Sequence, residues 1–89
     1  MIRFIGEPSA GKDFEYVIEG DRGVRHRVEA YVNGQIIYSK EPDCPDPPCH
    51  EMISMKDEYA GQILNIKYEN ILGQSERFSF NIGFRYLEL

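Results

Sequence analysis

The segment Tyr31-Val32-Asn33-Gly34-Gln35-Ile36-Ile37-Tyr38 decides how this chain folds. Asn-Gly between two runs of strand-forming residues is the strongest short-range signal for a hairpin, because both turn residues tolerate positive φ. From Val24 to Val32 apolar side chains alternate with polar ones, which is the period of a half-buried strand. The sequence therefore predicts an antiparallel hairpin with one face directed to a core.

Period-two alternation continues on both sides of the hairpin, and no ten-residue segment shows the apolar stripe of a helix. The other strand candidates are Ile2 to Ile5, Phe14 to Glu19, His50 to Met55, Leu64 to Tyr68 and Arg77 to Ile82. About seven short strands at this spacing predict an all-β, immunoglobulin-like sandwich of antiparallel strands. The 89 residues are enough for one domain, residues 1–89, with one core.

Two stretches, Val28 to Tyr38 and Ala60 to Gly73, resemble the Z subunit of the bacterial sulfur-oxidation carrier complex (SoxZ-like). In that family an Asn-Gly hairpin, a variable loop, an Ala-Gly turn and an alternating strand that ends in a turn like Asn-x-x-Gly come in this order. The resemblance covers about residues 26 to 82. It implies a sandwich fold and a non-enzymatic subunit that pairs with a carrier protein, whose C-terminal cysteine arm holds the sulfur substrate.

This chain departs from that pattern in three places. It has a loop bounded by Cys44 and Cys49, its N-terminal half is shorter, and Phe84 to Leu89 contains no Gly-Gly-Cys-Gly-Gly arm. The resemblance therefore implies a chain that binds a carrier and is not itself the carrier.

The charge balance argues against two kinds of partner. Fifteen acidic and ten basic residues give a net charge of −5, which repels nucleic-acid phosphates and anionic lipids. No apolar run reaches the roughly eighteen residues of a membrane span. We expect a protein partner, no nucleic acid and no membrane, and self-association is also compatible with the sequence. The chain as given has no secretion signal, which predicts a cytoplasmic protein, or a periplasmic one if a signal peptide was removed.

A proline-rich loop and the residues after it contain the side chains best suited to binding a soft metal ion. These side chains include two thiols, an imidazole and two thioethers, from Cys44, Cys49, His50, Met52 and Met55. The cysteines have three interpretations: a disulfide that closes the loop, two free thiols, or ligands of copper or zinc together with His50 and Met52. In the first two, Met52 and Met55 fill the core. The third makes a small metal-binding or redox protein the alternative function.

No catalytic residue and no cofactor are predicted. Gly6 to Lys12 has the spacing of a phosphate-binding loop, but Asp13 replaces the magnesium-binding hydroxyl and a strand pattern follows in place of a helix. We interpret it as a turn. His26 lies among apolar residues, which is more typical of a hydrogen-bonded, half-buried side chain than of a base. No serine has a nucleophile-elbow signature.

Aromatic residues at two places are candidates for contact with a partner. Tyr31 and Tyr38 flank the hairpin turn, where an exposed ring would anchor an interface, and packing across the hairpin is the alternative. The apolar tail after Gly83 either adds an edge strand or docks onto a partner. The predicted contact set is Tyr31, Asn33, Gly34, Tyr38, Phe84 and Tyr86.

Overall fold

A computed structural model describes residues 1–20, 22–42 and 44–84. Within these ranges the chain forms seven strands and one 3₁₀ turn at Asp57–Tyr59. The strands are β1 Ile2–Ile5, β2 Asp13–Ile18, β3 His26–Val32, β4 Gln35–Lys40, β5 Cys49–Ser54, β6 Ile63–Asn70 and β7 Ser75–Asn81.

In the described part of the chain the strands form two antiparallel sheets. One has the order β1-β2-β5 and the other has the order β4-β3-β6-β7. The chain changes sheet between β2 and β3, between β4 and β5, and between β5 and β6. Two packed sheets with connections that cross between them form an immunoglobulin-like sandwich, which confirms the predicted fold class.

The Asn-Gly hairpin forms where the sequence predicts it. Val32 pairs with Gln35 across a two-residue turn, and both turn residues are left-handed, with φ of 52° at Asn33 and 73° at Gly34. Positive φ at both positions matches the right-handed twist of the flanking strands.

Farther along the hairpin the register of β3 against β4 shifts between Ala30 and Tyr31. Tyr31 pairs with Ile36, whereas Ala30 pairs with Tyr38, so Ile37 is the extra residue of a bulge. Because of this bulge, Tyr38 lies on the inward side with Ala30 while Tyr31 lies on the outer face.

The core lies between the sheets and contains the inward residue of each alternating pair. The buried side chains include Phe14, Tyr16, Ile18, Val28, Ala30, Val32, Ile53, Leu64, Ile66, Tyr68 and Ile82. At one end of the core the Phe4 ring stacks on Phe14 at 5.5 Å between centroids and meets Phe78 and Phe80 edge-on at 4.9 Å. Alternation along β2 and β7 places Phe14, Phe78 and Phe80 on inward faces, and the structure agrees, with Phe4, Phe78 and Phe80 partly exposed at the margin.

A hydroxyl pair joins the two sheets inside the sandwich. The Tyr16 Oη of β2 lies 2.6 Å from the Tyr38 Oη of β4, and the Tyr16 side chain is completely buried. Beside this pair, Lys40 and Glu51 form an ion pair between the edges of β4 and β5. Burial raises the pKa of Tyr16 well above its ordinary value, and its hydrogen bond with Tyr38 raises it further. Both phenols are therefore neutral at physiological pH.

The segment Gly6 to Lys12 connects β1 to β2 within the three-stranded sheet. Ala10 N donates to Gly83 O at 2.9 Å and Gly83 N donates to Pro8 O at 2.9 Å, around a parallel bridge between Ser9 and Gly83. A strand begins at Asp13, and Pro8 and Ala10 are buried. The phosphate-loop spacing therefore belongs to a turn between strands, as interpreted from the sequence.

The hydroxyl pair predicts unequal effects of two phenylalanine substitutions on the free energy of unfolding. Tyr38→Phe leaves the buried Tyr16 hydroxyl without this partner and costs about 2 kcal/mol, whereas Tyr16→Phe leaves a half-exposed hydroxyl that water can reach and costs about 1 kcal/mol. The double variant loses less than the sum, because both polar groups are then absent. Urea denaturation of the four proteins measures this, and strictly additive losses would contradict it.

The raised pKa of Tyr16 also predicts loss of stability in alkali. Tyrosine in the unfolded chain ionises near its ordinary pKa of 10.0, whereas folded Tyr16 stays protonated. Stability is therefore fully present below about pH 10 and falls above it, by up to about 1.4 kcal/mol per pH unit for each such tyrosine. Tyr16→Phe should flatten this slope in urea titrations between pH 9 and 11. An unchanged slope would show that Tyr16 does not cause the loss.

Candidate functional site

In the structure Cys44 and Cys49 form a disulfide, with Cα atoms 5.9 Å apart. Cys44 is buried, and Cys49 opens β5 opposite Ile18 and packs against the core. The bond thus anchors the proline-rich loop to the start of β5, next to the hydrophobic core. Both sulfur atoms are occupied, so neither is available as a thiolate ligand while the bond is intact.

The other two predicted metal ligands lie on the opposite side of β5. His50 and Met52 alternate with Cys49 and therefore face outward, and Met52 is 52% exposed. The structure consequently does not bring the four residues together. Among the described residues, no group of three His, Cys, Asp or Glu side chains could hold a metal ion. The expectation that both methionines fill the core is correct for Met55, which is buried, and wrong for Met52.

His50 makes a surface contact in place of a metal site. Its Nδ1 lies 2.5 Å from Glu15 Oε2 on the neighbouring strand, on the outer face of the three-stranded sheet. Met52 pairs directly with Glu15 in the same face. The contact is an exposed ion pair when the imidazole is protonated, and such pairs contribute little to stability.

The disulfide makes a testable contribution to stability. It closes a short loop, with a sequence separation of 5 residues, and the entropy removed from the unfolded chain corresponds to about 2 kcal/mol. The paired substitution Cys44→Ala and Cys49→Ala should lower the free energy of unfolding by about this amount in urea titrations. Reductant should destabilise the natural protein similarly and leave the double variant unchanged. Equal stability of both proteins without reductant would argue against the bond.

A cleft opens at the hairpin end of the sandwich, and we call it the hairpin cleft. It lies between the start of β4 and the 3₁₀ turn that follows β5. Its lining residues are Val32, Asn33, Gln35, Ile36, Ile37, Ser54, Lys56, Glu58, Tyr59 and Gln62. The floor is apolar, because Val32 is buried and both Ile37 and Tyr59 pack against the core. The rim is polar, so the cleft combines an apolar floor with hydrogen-bonding groups, as binding sites commonly do.

Local hydrogen bonds hold the turn that forms one wall of the hairpin cleft. Tyr59 N donates to Lys56 O at 3.1 Å, and Gln62 N donates to Tyr59 O at 3.1 Å. The Gln62 side chain also donates from Nε2 to Glu58 O at 2.9 Å. These bonds hold the backbone of the turn to which Tyr59 belongs.

The opposite wall is the edge strand β4, which borders only β3 in the described sheet. An edge strand has backbone N–H and C=O groups that point away from its single neighbour and are open to a further strand. The bulge at Ile37 lies within this wall and turns that side chain toward the cleft floor.

The structure separates the predicted contact residues. Asn33 lines the hairpin cleft, and Gly34 is exposed at the turn beside it. Tyr31 is half-buried on the outer face, where its Oη donates to Glu29 Oε2 at 2.8 Å, and this bond is the main reason why the pKa of Tyr31 is raised. Tyr38 faces inward and bonds to Tyr16 of the other sheet, so its side-chain partner lies across the sandwich.

The tail contributes one described residue to the same end of the sandwich. Phe84 is 65% exposed, and its ring lies over Gly61, where an added Cβ would come within 2.8 Å of the Phe84 Cζ. A side chain at position 61 would therefore displace the ring. Tyr86 lies outside the described residues.

Sequence reasoning missed most of the cleft. Ile37 comes from β4 whereas Lys56, Glu58 and Tyr59 come from the turn after β5, and no spacing rule relates these two segments. The one available signal was Tyr59, an aromatic residue within the otherwise polar turn from Asp57 to Gly61.

His26 lies in the buried interior of the sandwich. It is buried, with 2% of its surface exposed, its Nδ1 lies 2.7 Å from Tyr68 Oη, and its ring stacks on the tyrosine at 5.7 Å between centroids. The sequence predicted a half-buried, hydrogen-bonded side chain, so the burial is deeper than expected.

No helix among the described residues is long and apolar enough to cross a membrane. Compared with known protein families and with curated proteins, the sequence matches none.

Proposed function

We propose that this protein is a non-catalytic binding domain that holds an extended segment of a partner protein in the hairpin cleft. One observation carries the proposal: an open edge strand and an apolar floor lie side by side in the same cleft. An extended peptide that adds to a sheet edge gains main-chain hydrogen bonds, and pockets for alternate side chains give it specificity.

The dimensions of the wall support a short segment as the bound element. β4 runs from Gln35 to Lys40, 6 residues, and could pair with about as many residues of a partner. The floor at Ile37 and Tyr59 would receive an apolar side chain of that segment. Lys56 and Glu58 on the rim offer one charge of each sign, so the cleft favours a polar segment with one apolar anchor over a highly charged one.

The resemblance to the Z subunit of the sulfur-oxidation carrier complex supports a finer proposal about the partner. A carrier protein with an extended cysteine arm is the kind of partner that an edge-strand cleft suits. The Cys44 to Cys49 disulfide also favours an oxidising compartment, because such bonds persist outside the reducing cytoplasm.

Two matched isoleucine substitutions test the cleft. Tagged protein is purified from native cells, and the protein that accompanies it is produced separately and titrated by calorimetry. Ile36→Asp places a charge in the cleft and should weaken binding at least tenfold. Ile63→Asp is the control, because Ile63 is as exposed (52% against 53%) but lies outside the cleft.

Three outcomes would count against the proposal. A protein that stays alone and monomeric under several buffer conditions would remove the partner. Equal binding by both variants would place the contact elsewhere, and equal loss in both would place it on the outer face of the four-stranded sheet.

A further inference from the structure

Two large aliphatic side chains project from the turn between β6 and β7 at the other end of the sandwich. Ile71 is 68% exposed and Leu72 is 60% exposed. Turns that face water usually have small or polar residues, so two adjacent aliphatic side chains need a reason. We call this pair the apolar tip.

Hydrogen bonds hold the backbone of the apolar tip in one conformation. The Asn70 Oδ1 accepts from Leu72 N at 3.0 Å and from Gln74 N at 3.2 Å, while Asn70 Nδ2 donates to Gln74 Oε1 at 2.7 Å. Gly73 completes the turn with a φ of 83°. The tip is thus pre-organised, which lowers the entropy cost of binding through it.

A cationic group lies beside the apolar tip. Ile71 N donates to Arg25 O at 3.2 Å, and both residues line a groove with Arg27, Glu41 and Glu69. In this groove Arg27 pairs with Glu41 at 2.7 Å, and Glu69 pairs with Lys67 at 2.8 Å. The Arg25 side chain is exposed and makes no ion pair with a described residue, and its positive charge helps to lower the pKa of Glu41 in the same groove.

We propose that the apolar tip is a second docking site, which inserts Ile71 and Leu72 into an apolar pocket of a partner protein with a carboxylate of that partner against Arg25. Two aliphatic side chains and one neighbouring guanidinium form a small contact with a buried centre and a charged rim, the usual arrangement of a binding hot spot. The charge sets the chemistry of the partner, which is an acidic rim around the pocket.

Two other occupants fit the observations less well. An anionic membrane would bind a cluster of basic residues and a larger apolar surface, whereas this chain has a net charge of −5 and two aliphatic side chains here. A second copy of the chain would bring the same net negative charge, which opposes self-association.

The apolar tip and the hairpin cleft lie at opposite ends of β6. This strand runs from Ile63, next to the cleft residue Gln62, to Asn70 at the tip, and 8 residues of strand span about 25 Å. One short peptide cannot reach both sites. The tip therefore goes beyond the proposed cleft function and lets the domain contact two protein surfaces at once.

Site-specific photo-crosslinking in native cells identifies the occupant. Benzoylphenylalanine replaces Leu72, or Ile63 as the control, and the cross-linked protein is identified, produced separately and titrated by calorimetry. We expect capture from position 72 and not from 63. Leu72→Asp should then weaken binding of the purified protein at least 30-fold and Arg25→Glu at least fivefold, with Ile63→Asp within twofold of the natural chain. Circular dichroism verifies that each variant folds, and Leu72→Ser replaces Leu72→Asp if that variant does not fold.

Each other outcome overturns the second docking site. Absence of capture at position 72, or unchanged affinity in both tip variants, removes the tip from binding. Sedimentation with phosphatidylserine vesicles that Leu72→Asp abolishes would make the tip a membrane contact, and a dimer that the same substitution dissociates would make it a self-association surface. Loss of binding with Ile36→Asp alone would assign the captured protein to the hairpin cleft, so the two sites are tested separately.

Discussion

The register of β3 against its two neighbours is the constraint on which the rest of the structure depends. Every second residue of this strand faces the core, and a slip of one residue would expose Val28, Ala30 and Val32 to water. The hairpin turn sets this register on one side, and pairing with β6 sets it on the other. The bulge then brings Tyr38 inward, where it meets Tyr16 and links the two sheets.

The most reactive side chains of this chain contribute to the stability of the fold. Cys44 and Cys49 are joined to each other, His26 stacks on and bonds to Tyr68, and Tyr16 bonds to Tyr38 across the sandwich. Each of these polar or reactive groups is buried or half-buried, where an unsatisfied polar group would cost free energy. The proposed binding role uses none of these groups.

The two ends of the sandwich offer different surfaces for such binding. At one end an edge strand and the turn at Tyr59 enclose a concave cleft with an apolar floor. At the other end a hydrogen-bonded turn projects Ile71 and Leu72 outward beside the exposed side chain of Arg25. A concave site and a convex site suit different partner surfaces, and the strands between them keep their separation constant.

The sequence by itself determined the seven strands, the Asn33-Gly34 hairpin and most inward-facing residues, because side-chain alternation and turn chemistry are properties of neighbouring residues. Only the tertiary structure decided the direction of Tyr38, which depends on a bulge that simple alternation does not reveal. It also decided that β4 and Tyr59 form one cleft. These contacts join residues that are distant in the chain, and the free energy of packing the two sheets together selects them.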